Sequence, residues 1–241
     1  MDILFFTILF IVAFLYASIG HGGASGYLAL MAIFSIDPLM MRSSALTLNL
    51  FVAGVSFISY YRGGYFKWKI LLPFIITSIP MAYFGAMMEI NPKLYKVILG
   101  IFLLIAVLRM LVIKPKDDKI FKDPNLYLGL AIGAGLGFFS GMIGIGGGII
   151  LSPILILMGW ATVKEAAAVS AIFIFLNSAS GLVGVVHSGF NPNPEILYWI
   201  GVALLGGLLG SYSGSIKFTQ IRLQYILAFV LMMASFKLFI F

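Results

Sequence analysis

Residues 141–148 read Gly141-Met142-Ile143-Gly144-Ile145-Gly146-Gly147-Gly148 and lie inside a long apolar run. A shorter version, Gly20-His21-Gly22-Gly23-Ala24, interrupts another apolar run near the start of the chain. Glycine loses more backbone freedom on folding than other residues, so clustered glycines favour a break in a helix. In hydrocarbon an unpaired N–H group costs several kcal/mol, so a break persists only where protein or a polar cavity covers it. Two such breaks, one in each half of the chain, are typical of secondary transporters.

The composition indicates an integral membrane protein. Of the 241 residues, 62% are hydrophobic and 10% are charged, and the mean hydropathy is +1.12. Soluble domains carry about 25% charged residues, so this surface suits lipid rather than water. The chain has no cysteine and only two histidines, with no carboxylate cluster beside them. We therefore predict neither a metal site nor a cofactor.

Apolar runs bounded by charges, prolines or glycines predict ten helices. They lie near residues 2–18, 26–36, 42–60, 69–88, 93–113, 126–143, 149–160, 164–187, 195–215 and 221–241. The second and seventh are too short to cross about 30 Å of hydrocarbon at about 1.5 Å per residue. Each is expected to pair with its predecessor as a re-entrant or broken hairpin. The predicted fold class is an all-α polytopic membrane protein with one hairpin and three full transmembrane helices in each half.

The two halves align with one another, which indicates a duplicated unit. The first glycine cluster coincides with the second at an offset of 144 − 20 = 124 residues, and Ser44 falls on Ser170 at an offset of 170 − 44 = 126 residues. We predict a first repeat over residues 1–113, a cytoplasmic connector over 114–124 and a second repeat over 125–241.

The basic residues predict the orientation of the repeats, because Lys and Arg concentrate in short cytoplasmic loops. With the connector inside, four of the fifteen basic residues lie outside: Arg42, Lys93, Lys96 and Lys237. The loop at 60–67 is basic, whereas its repeat counterpart at 187–195 has no Lys or Arg. Equivalent loops on opposite sides indicate inverted-topology repeats in a multi-pass protein of the cytoplasmic (inner) membrane. The net charge of +7 is then mostly a topological signal, and we predict no nucleic-acid partner.

The breaks are candidates for an anion site. A helix that begins after a break directs its free N–H groups and the positive end of its dipole at the break. The third helix of each half adds polar residues spaced by seven, on one face: Arg42, Asn49 and Ser56, then Ser170, Asn177 and Gly184. The predicted substrate-binding residues are Gly20, His21, Gly22, Gly23, Ser25, Asn49, Gly144, Gly146, Gly147, Gly148, Ser170 and Asn177.

Each of these features also has a structural interpretation. Glycines let membrane helices pack closely, and Asn and Ser form hydrogen bonds between helices. His21 could bind an anion when protonated or relay a proton, or it could be a packing residue. Besides a transporter, the residues leave open a passive anion channel, a structural scaffold, and an intramembrane hydrolase that pairs Ser25 or Ser140 with His21.

The pattern Gly144-x-Gly146-Gly147-Gly148, followed by Pro153, Ala168 and Ser170, resembles the TauE/SafE family of sulfite exporters and organosulfur anion permeases. The duplication and the ending Gly210-Ser211-x-x-Gly214…Leu223 are similar to it as well. The resemblance implies a permease, not an enzyme, that moves small oxyanions such as sulfite, sulfonates or sulfoacetate; the residues alone indicate only an anion. We predict a secondary transporter that works by alternating access. Its expected partners are a small anion and the lipid bilayer, and a homodimer is compatible with the sequence.

Overall fold

The computed structural model of the chain describes residues 3–112, 122–189 and 195–216, together with Leu231, Met232, Ser235, Phe236 and Leu238. This part of the chain contains nine helices. They are α1 (Ile3–Ser18), α2 (Ala24–Ile33), α3 (Pro38–Arg62), α4 (Trp68–Met87), α5 (Pro92–Val112), α6 (Leu126–Ile143), α7 (Gly148–Leu157), α8 (Val163–His187) and α9 (Ile196–Ile216). Most of the predicted connector and most of the predicted tenth helix lie outside the described residues.

The chain is an all-helical, multi-pass membrane protein. Five of the described helices are long and apolar enough to cross a bilayer: α3, α4, α6, α8 and, over residues 196–214, α9. The helices α2 and α7 have ten residues each, about half of the number that a span requires.

The nine described helices follow the sequence-based prediction, with shifted ends. The largest shift of a start is in α3, which begins at Pro38 rather than near residue 42. The side chain of Asp37 accepts a hydrogen bond of 2.9 Å from the backbone N–H of Leu39, and Pro38 occupies the first helical position. Both features stabilise a helix start. The short helices end earlier than predicted, α2 at Ile33 rather than 36 and α7 at Leu157 rather than 160.

Each short helix turns back along its predecessor and forms a hairpin. The rings of Phe5, at the start of α1, and Phe34, just after α2, meet edge to face with centroids 5.3 Å apart. In the second half, the backbone N–H of Lys122, before α6, donates a 2.9 Å hydrogen bond to the carbonyl of Gly159, after α7. These contacts join the two helices of each hairpin at the end opposite the glycine break.

The two hairpins open on opposite faces of the molecule. One face carries the start of α6 and the start of α8, where Glu165 pairs with Lys67 at 2.5 Å; we call it the connector face. The other carries the starts of α1, α3 and α5, and here the Arg42 guanidinium donates to the carbonyl of Met88; we call it the far face. The central helices α3 and α8 run antiparallel between the two faces, since Tyr60 packs with Ala167 and Leu46 packs with Val185.

Glycine ridges bring pairs of helices into backbone contact. On α6, Gly133, Gly137 and Gly141 lie against the carbonyls of Phe74, Ser78 and Ala82 in α4. On α9, Gly206, Gly210 and Gly214 lie against the carbonyls of Phe10, Phe14 and Ser18 in α1. The spacing of four keeps each set on one face, and small residues at such positions allow close approach of membrane helices. The sequence analysis did not identify these ridges.

The helix contacts repeat when the halves are exchanged. α1 packs on α9 as α6 packs on α4, and α3 packs on α9 as α8 packs on α4. Each short helix packs on the long helix that follows it, α2 on α3 and α7 on α8.

Replacing Gly137 by Ala should lower the stability of the folded protein. A Cβ atom there would lie on the backbone of Ser78, whereas a Cβ atom on Gly135, half a turn away, would have nothing within 4 Å. We expect Gly137→Ala to lower the free energy of unfolding by about 1–3 kcal/mol. The control Gly135→Ala should change it by less than about 1 kcal/mol, in the stabilising direction. Thermal unfolding in detergent measures both, and equal stability of the two variants would contradict the close α4–α6 contact.

Candidate functional site

Both glycine clusters form helix breaks. α2 starts after Gly23 and α7 starts after Gly147, and these two residues adopt left-handed backbone conformations with φ of 97° and 73°. Residues other than glycine rarely adopt this conformation, which explains the residue type at both positions. Because both N-cap residues are glycines, neither has a side chain that could cap its helix. The first N–H groups of α2 and α7 therefore face the breaks, together with the positive ends of the two helix dipoles.

The two breaks meet at the crossing of α3 and α8. A Cβ atom placed on Gly22 would lie 2.7 Å from Oδ1 of Asn49, and one placed on Gly146 would lie 2.7 Å from Nδ2 of the same side chain. Both would lie 2.8 Å from Cγ2 of Ile174. Asn49 and Ile174 lie about halfway along their 25-residue helices. The breaks therefore converge near the middle of the molecule, with the Asn49 amide between them.

Asn49 is fully buried and only partly hydrogen-bonded. Its Nδ2 donates to Oγ of Ser178 at 3.2 Å, and its Oδ1 has no hydrogen-bond partner. A serine hydroxyl both donates and accepts, so the amide can turn by 180°, keep its bond to Ser178 and present its NH₂ group toward Gly22. Asn49 can thus offer either a donor or an acceptor to a bound molecule.

His21 connects the first break to the second half. Its Nδ1 lies 3.0 Å from the carbonyl of Ile19, and its Nε2 lies 3.0 Å from Oγ of Ser152 in α7. A carbonyl only accepts, so Nδ1 carries a proton, and Nε2 of the neutral ring accepts a hydrogen bond from Ser152. Protonation of the ring would reverse this second bond. The serine hydroxyl 3.0 Å from the His21 ring is that of Ser152, whereas the sequence analysis had paired His21 with Ser25 or Ser140.

The other predicted residues of the first cluster lie around the start of α2. Gly20 packs against Ala167 of α8, and the Ser25 hydroxyl lies 2.7 Å from that of Tyr16. Gly23 lies beside the hydroxyl of Tyr27, which would be 2.6 Å from a Cβ atom on Gly23. That hydroxyl is fully buried and has no hydrogen-bond partner. Tyr27 is therefore a candidate site residue that the sequence analysis missed.

The predicted residues of the second cluster pack against α3, α6 and α8. Gly144 lies on the backbone of Arg42, Gly147 lies beside Phe173, and Gly148 lies beside Ile174 and the carbonyl of Ser170. The Ser170 hydroxyl is buried without a partner. The structure places Asn177 differently from Asn49, because its Nδ2 donates to the carbonyl of Phe173 in its own helix at 2.8 Å. Ser178, rather than Asn177, reaches Asn49.

Several buried polar atoms near the breaks lack partners. Besides Tyr27 and Asn49 they belong to Ser56, Ser140, Ser170 and Asn177. A buried polar group without a hydrogen bond costs about 1–3 kcal/mol, so a protein interior normally contains few of them. A cluster of such groups beside two helix N-termini is suited to bind a polar or anionic molecule.

The chain has clear relatives among known proteins. The family model described as "Sulfite exporter TauE/SafE" matches residues 5–238. A probable membrane transporter protein of Sinorhizobium fredii is 32% identical over 234 residues, which are 95% of this chain and 94% of that protein. A probable membrane transporter protein of Bacillus subtilis is 28% identical over 197 residues, 73% of this chain and 72% of that protein. No solved structure matches the chain.

Replacing Gly22 by Ala should disturb the meeting point of the breaks. The new methyl group would contact Asn49 and Ile174 at distances that force one of them to move. Overpacking of this kind lowers the free energy of unfolding by about 1–3 kcal/mol. The control is Gly54→Ala in α3, whose Cβ atom would lie 3.5 Å from the ring of Phe175, an ordinary contact. Melting temperatures in detergent compare the variants; a Gly22→Ala protein as stable as the control would show that the breaks do not converge on Asn49.

Proposed function

Since this chain belongs to the sulfite exporter TauE/SafE family, we propose that it is a secondary transporter of small sulfur oxyanions such as sulfite, sulfonates or sulfoacetate. The family and the relatives are named as transporters rather than enzymes. The observation that carries the proposal is the convergence of two helix N-termini on one buried amide, Asn49, near the middle of the molecule.

Anion recognition rests on dipoles and hydrogen-bond donors rather than on a full charge. Each helix N-terminus is equivalent to roughly half a positive charge, and its free N–H groups donate hydrogen bonds to an oxyanion in the manner of phosphate sites. Tyr27 adds a hydroxyl at the first break, and Asn49 adds an amide between the breaks. His21 adds a ring that could become positive or carry a proton. Preorganised donors of this kind bind an anion most strongly where water is excluded.

We further propose that the halves are inverted-topology repeats. The contact of Gly20 with Ala167 corresponds to the contact of Gly144 with Arg42. In this pair Gly144 follows Gly20 by 144 − 20 = 124 residues, and Ala167 follows Arg42 by 167 − 42 = 125 residues. The contact of Gly22 with Ala53 corresponds in the same way to that of Gly146 with Ser178, because Gly146 follows Gly22 by 124 residues and Ser178 follows Ala53 by 125. The antiparallel course of α3 and α8 supports inversion, because equivalent helices of inverted repeats run in opposite directions.

Inverted repeats give a simple route to alternating access. The anion would stay near Asn49 while the halves rock around it and open the site to one face and then to the other. We place the protein in the cytoplasmic membrane with the connector face inside, because most Lys and Arg residues lie on that side of the predicted topology.

Transport is tested by replacing Tyr27 with Phe, which removes one oxygen atom and no packing. The buried hydroxyl has no partner, so its loss should leave the stability unchanged or raise it by up to about 1 kcal/mol. A hydrogen bond to a charged group is worth about 1.5–3 kcal/mol, so the half-saturating sulfite concentration should rise about tenfold or more. Saturable uptake and counterflow of radiolabelled sulfite in proteoliposomes measure the effect.

The control for that experiment is Tyr198→Phe, which removes an exposed hydroxyl at the start of α9. It should leave both stability and flux unchanged. Flux that does not saturate and lacks counterflow would identify a passive channel instead of a carrier. No flux of sulfite, sulfonates or sulfoacetate at any imposed pH gradient would refute the proposal as a whole.

The inverted arrangement is tested by labelling single cysteines, since the chain has none of its own. Arg62, at the end of α3, and Ser188, just after α8, provide one exposed position near each face. We expect Arg62→Cys to react with a membrane-impermeant maleimide only from the cytoplasmic side, and Ser188→Cys only from the outer side. Labelling of both from the same side would disprove the inverted topology.

A further inference from the structure

A cavity of about 380 Å³ opens at the far face, on the outer side of the proposed orientation. Its lining comes from the start of α3, the link between α4 and α5, and the end of α8. The residues that matter here are Arg42, Met87, Glu89, Tyr95 and Ser188. This volume lies within the range of small-ligand sites, about 300–1,000 Å³.

The Arg42 guanidinium lies in the wall of this cavity. The side chain is only 7% exposed. Its Nη1 donates to the carbonyl of Met88 at 3.2 Å, and its Nε has no partner. Among the described residues, no carboxylate forms an ion pair with it. A buried charge without a counterion is costly, so the site favours an anion from solution.

The carboxylates at this cavity do not supply that counterion. Asp37 is exposed, and its Oδ1 accepts the hydrogen bond of Leu39 N–H at the start of α3. Glu89 is exposed as well. Both therefore share their charge with solvent, where ion screening weakens their effect on a bound ligand.

The floor of the cavity touches the second break. A Cβ atom on Gly144 would lie 3.0 Å from the carbonyl oxygen of Arg42, and the Tyr95 hydroxyl donates a 2.9 Å hydrogen bond to the carbonyl of Ile143. Ile143 is the last residue of α6. An anion held at Arg42 would thus be next to the backbone that leads to Gly146 and Asn49.

The charge has no counterpart in the other half. Equivalent positions of α3 and α8 are 125 residues apart, so the counterpart of Arg42 is Ala167, which packs on Gly20. At this matching position of α8 the connector face therefore carries the methyl group of an alanine instead of a guanidinium.

We propose that Arg42 forms an outer oxyanion-binding site that holds the sulfur anion before it enters, or after it leaves, the central site on the far face. The proposal rests on the proposed transport function for its ligand. The planar guanidinium can bind two oxygens of a sulfite, sulfate or sulfonate group at once. Because the charge is one-sided, it affects exchange at the outer face and leaves exchange at the inner face unchanged.

The local charge is tested by introducing Cys at Met87, a cavity residue that is 37% exposed. The rates of modification by an anionic sulfonatoethyl and a cationic trimethylammonioethyl methanethiosulfonate are compared, each normalised to a neutral methyl reagent. Adding Arg42→Gln should lower the ratio of anionic to cationic rates about tenfold, because the charge acts with opposite sign on the two reagents. Adding Arg42→Lys should largely keep the ratio. Lys93→Gln, an exposed charge on the same face, is the matched control and should leave it unchanged.

Ligand binding is tested on the same Met87→Cys protein with Arg42 intact. Inorganic sulfate should slow modification by the neutral reagent, whereas the same ionic strength of chloride should not. In proteoliposomes, Arg42→Gln should raise the half-saturating concentration of sulfite about tenfold at the outer face only. An unchanged rate ratio together with no protection by sulfate would overturn the outer site, even if transport proceeds. Protection by sulfate without any flux would keep the outer site and refute the transport function instead.

Discussion

The backbone N–H groups at the starts of α2 and α7 impose the strictest constraint on this molecule. They lie near the middle of a membrane protein, where water is not available as a general partner. The hairpins meet this constraint by placing both breaks against the middle of α3 and α8, so that Asn49 and Ile174 cover them. The central position of α3 and α8 and the two opposed hairpins are consequences of that requirement.

Holding the breaks in place requires the hairpins to be fixed without a hydrophobic force between helices, since lipid is as apolar as a leucine side chain. The glycine ridges provide this attachment. α6 lies on α4 through Gly133, Gly137 and Gly141, and α9 lies on α1 through a similar set. Backbone contact over several turns gains dispersion energy and fixes the height of each hairpin. The mobile part of a rocking motion would then be the contact between such rigid pairs, rather than the pairs themselves.

The sequence predicted the helices and the breaks because both depend on local patterns: apolar length, glycine clusters and the distribution of basic residues. It missed contacts that depend on the relative placement of two helices. The sequence alignment pairs Ser44 with Ser170, 126 residues apart, whereas positions of α3 and α8 with equivalent contacts in the structure are 125 residues apart. Neighbouring positions of a helix point about 100° apart, so Ser178 of α8 reaches Asn49 whereas Asn177 bonds within its own helix. Tyr27 and Ser152 were missed because nothing in the sequence distinguishes them from packing residues.

The two halves of the chain carry different chemistry at positions with matching contacts. At the offsets of the structure, His21 corresponds to Ile145, Asn49 to Ile174 and Arg42 to Ala167, so that these polar groups come from the first half alone. The second half supplies hydroxyls that complement them, since Ser152 pairs with His21 and Ser178 pairs with Asn49. In the proposed mechanism, the symmetry of inverted repeats would let the site open to either face with similar energy, and the unequal side chains would make the two openings chemically distinct. Different affinities at the two faces would then arise from side chains alone, without any loss of symmetric packing, while the gradients of the anion and of any coupled ion would set the direction of net flux.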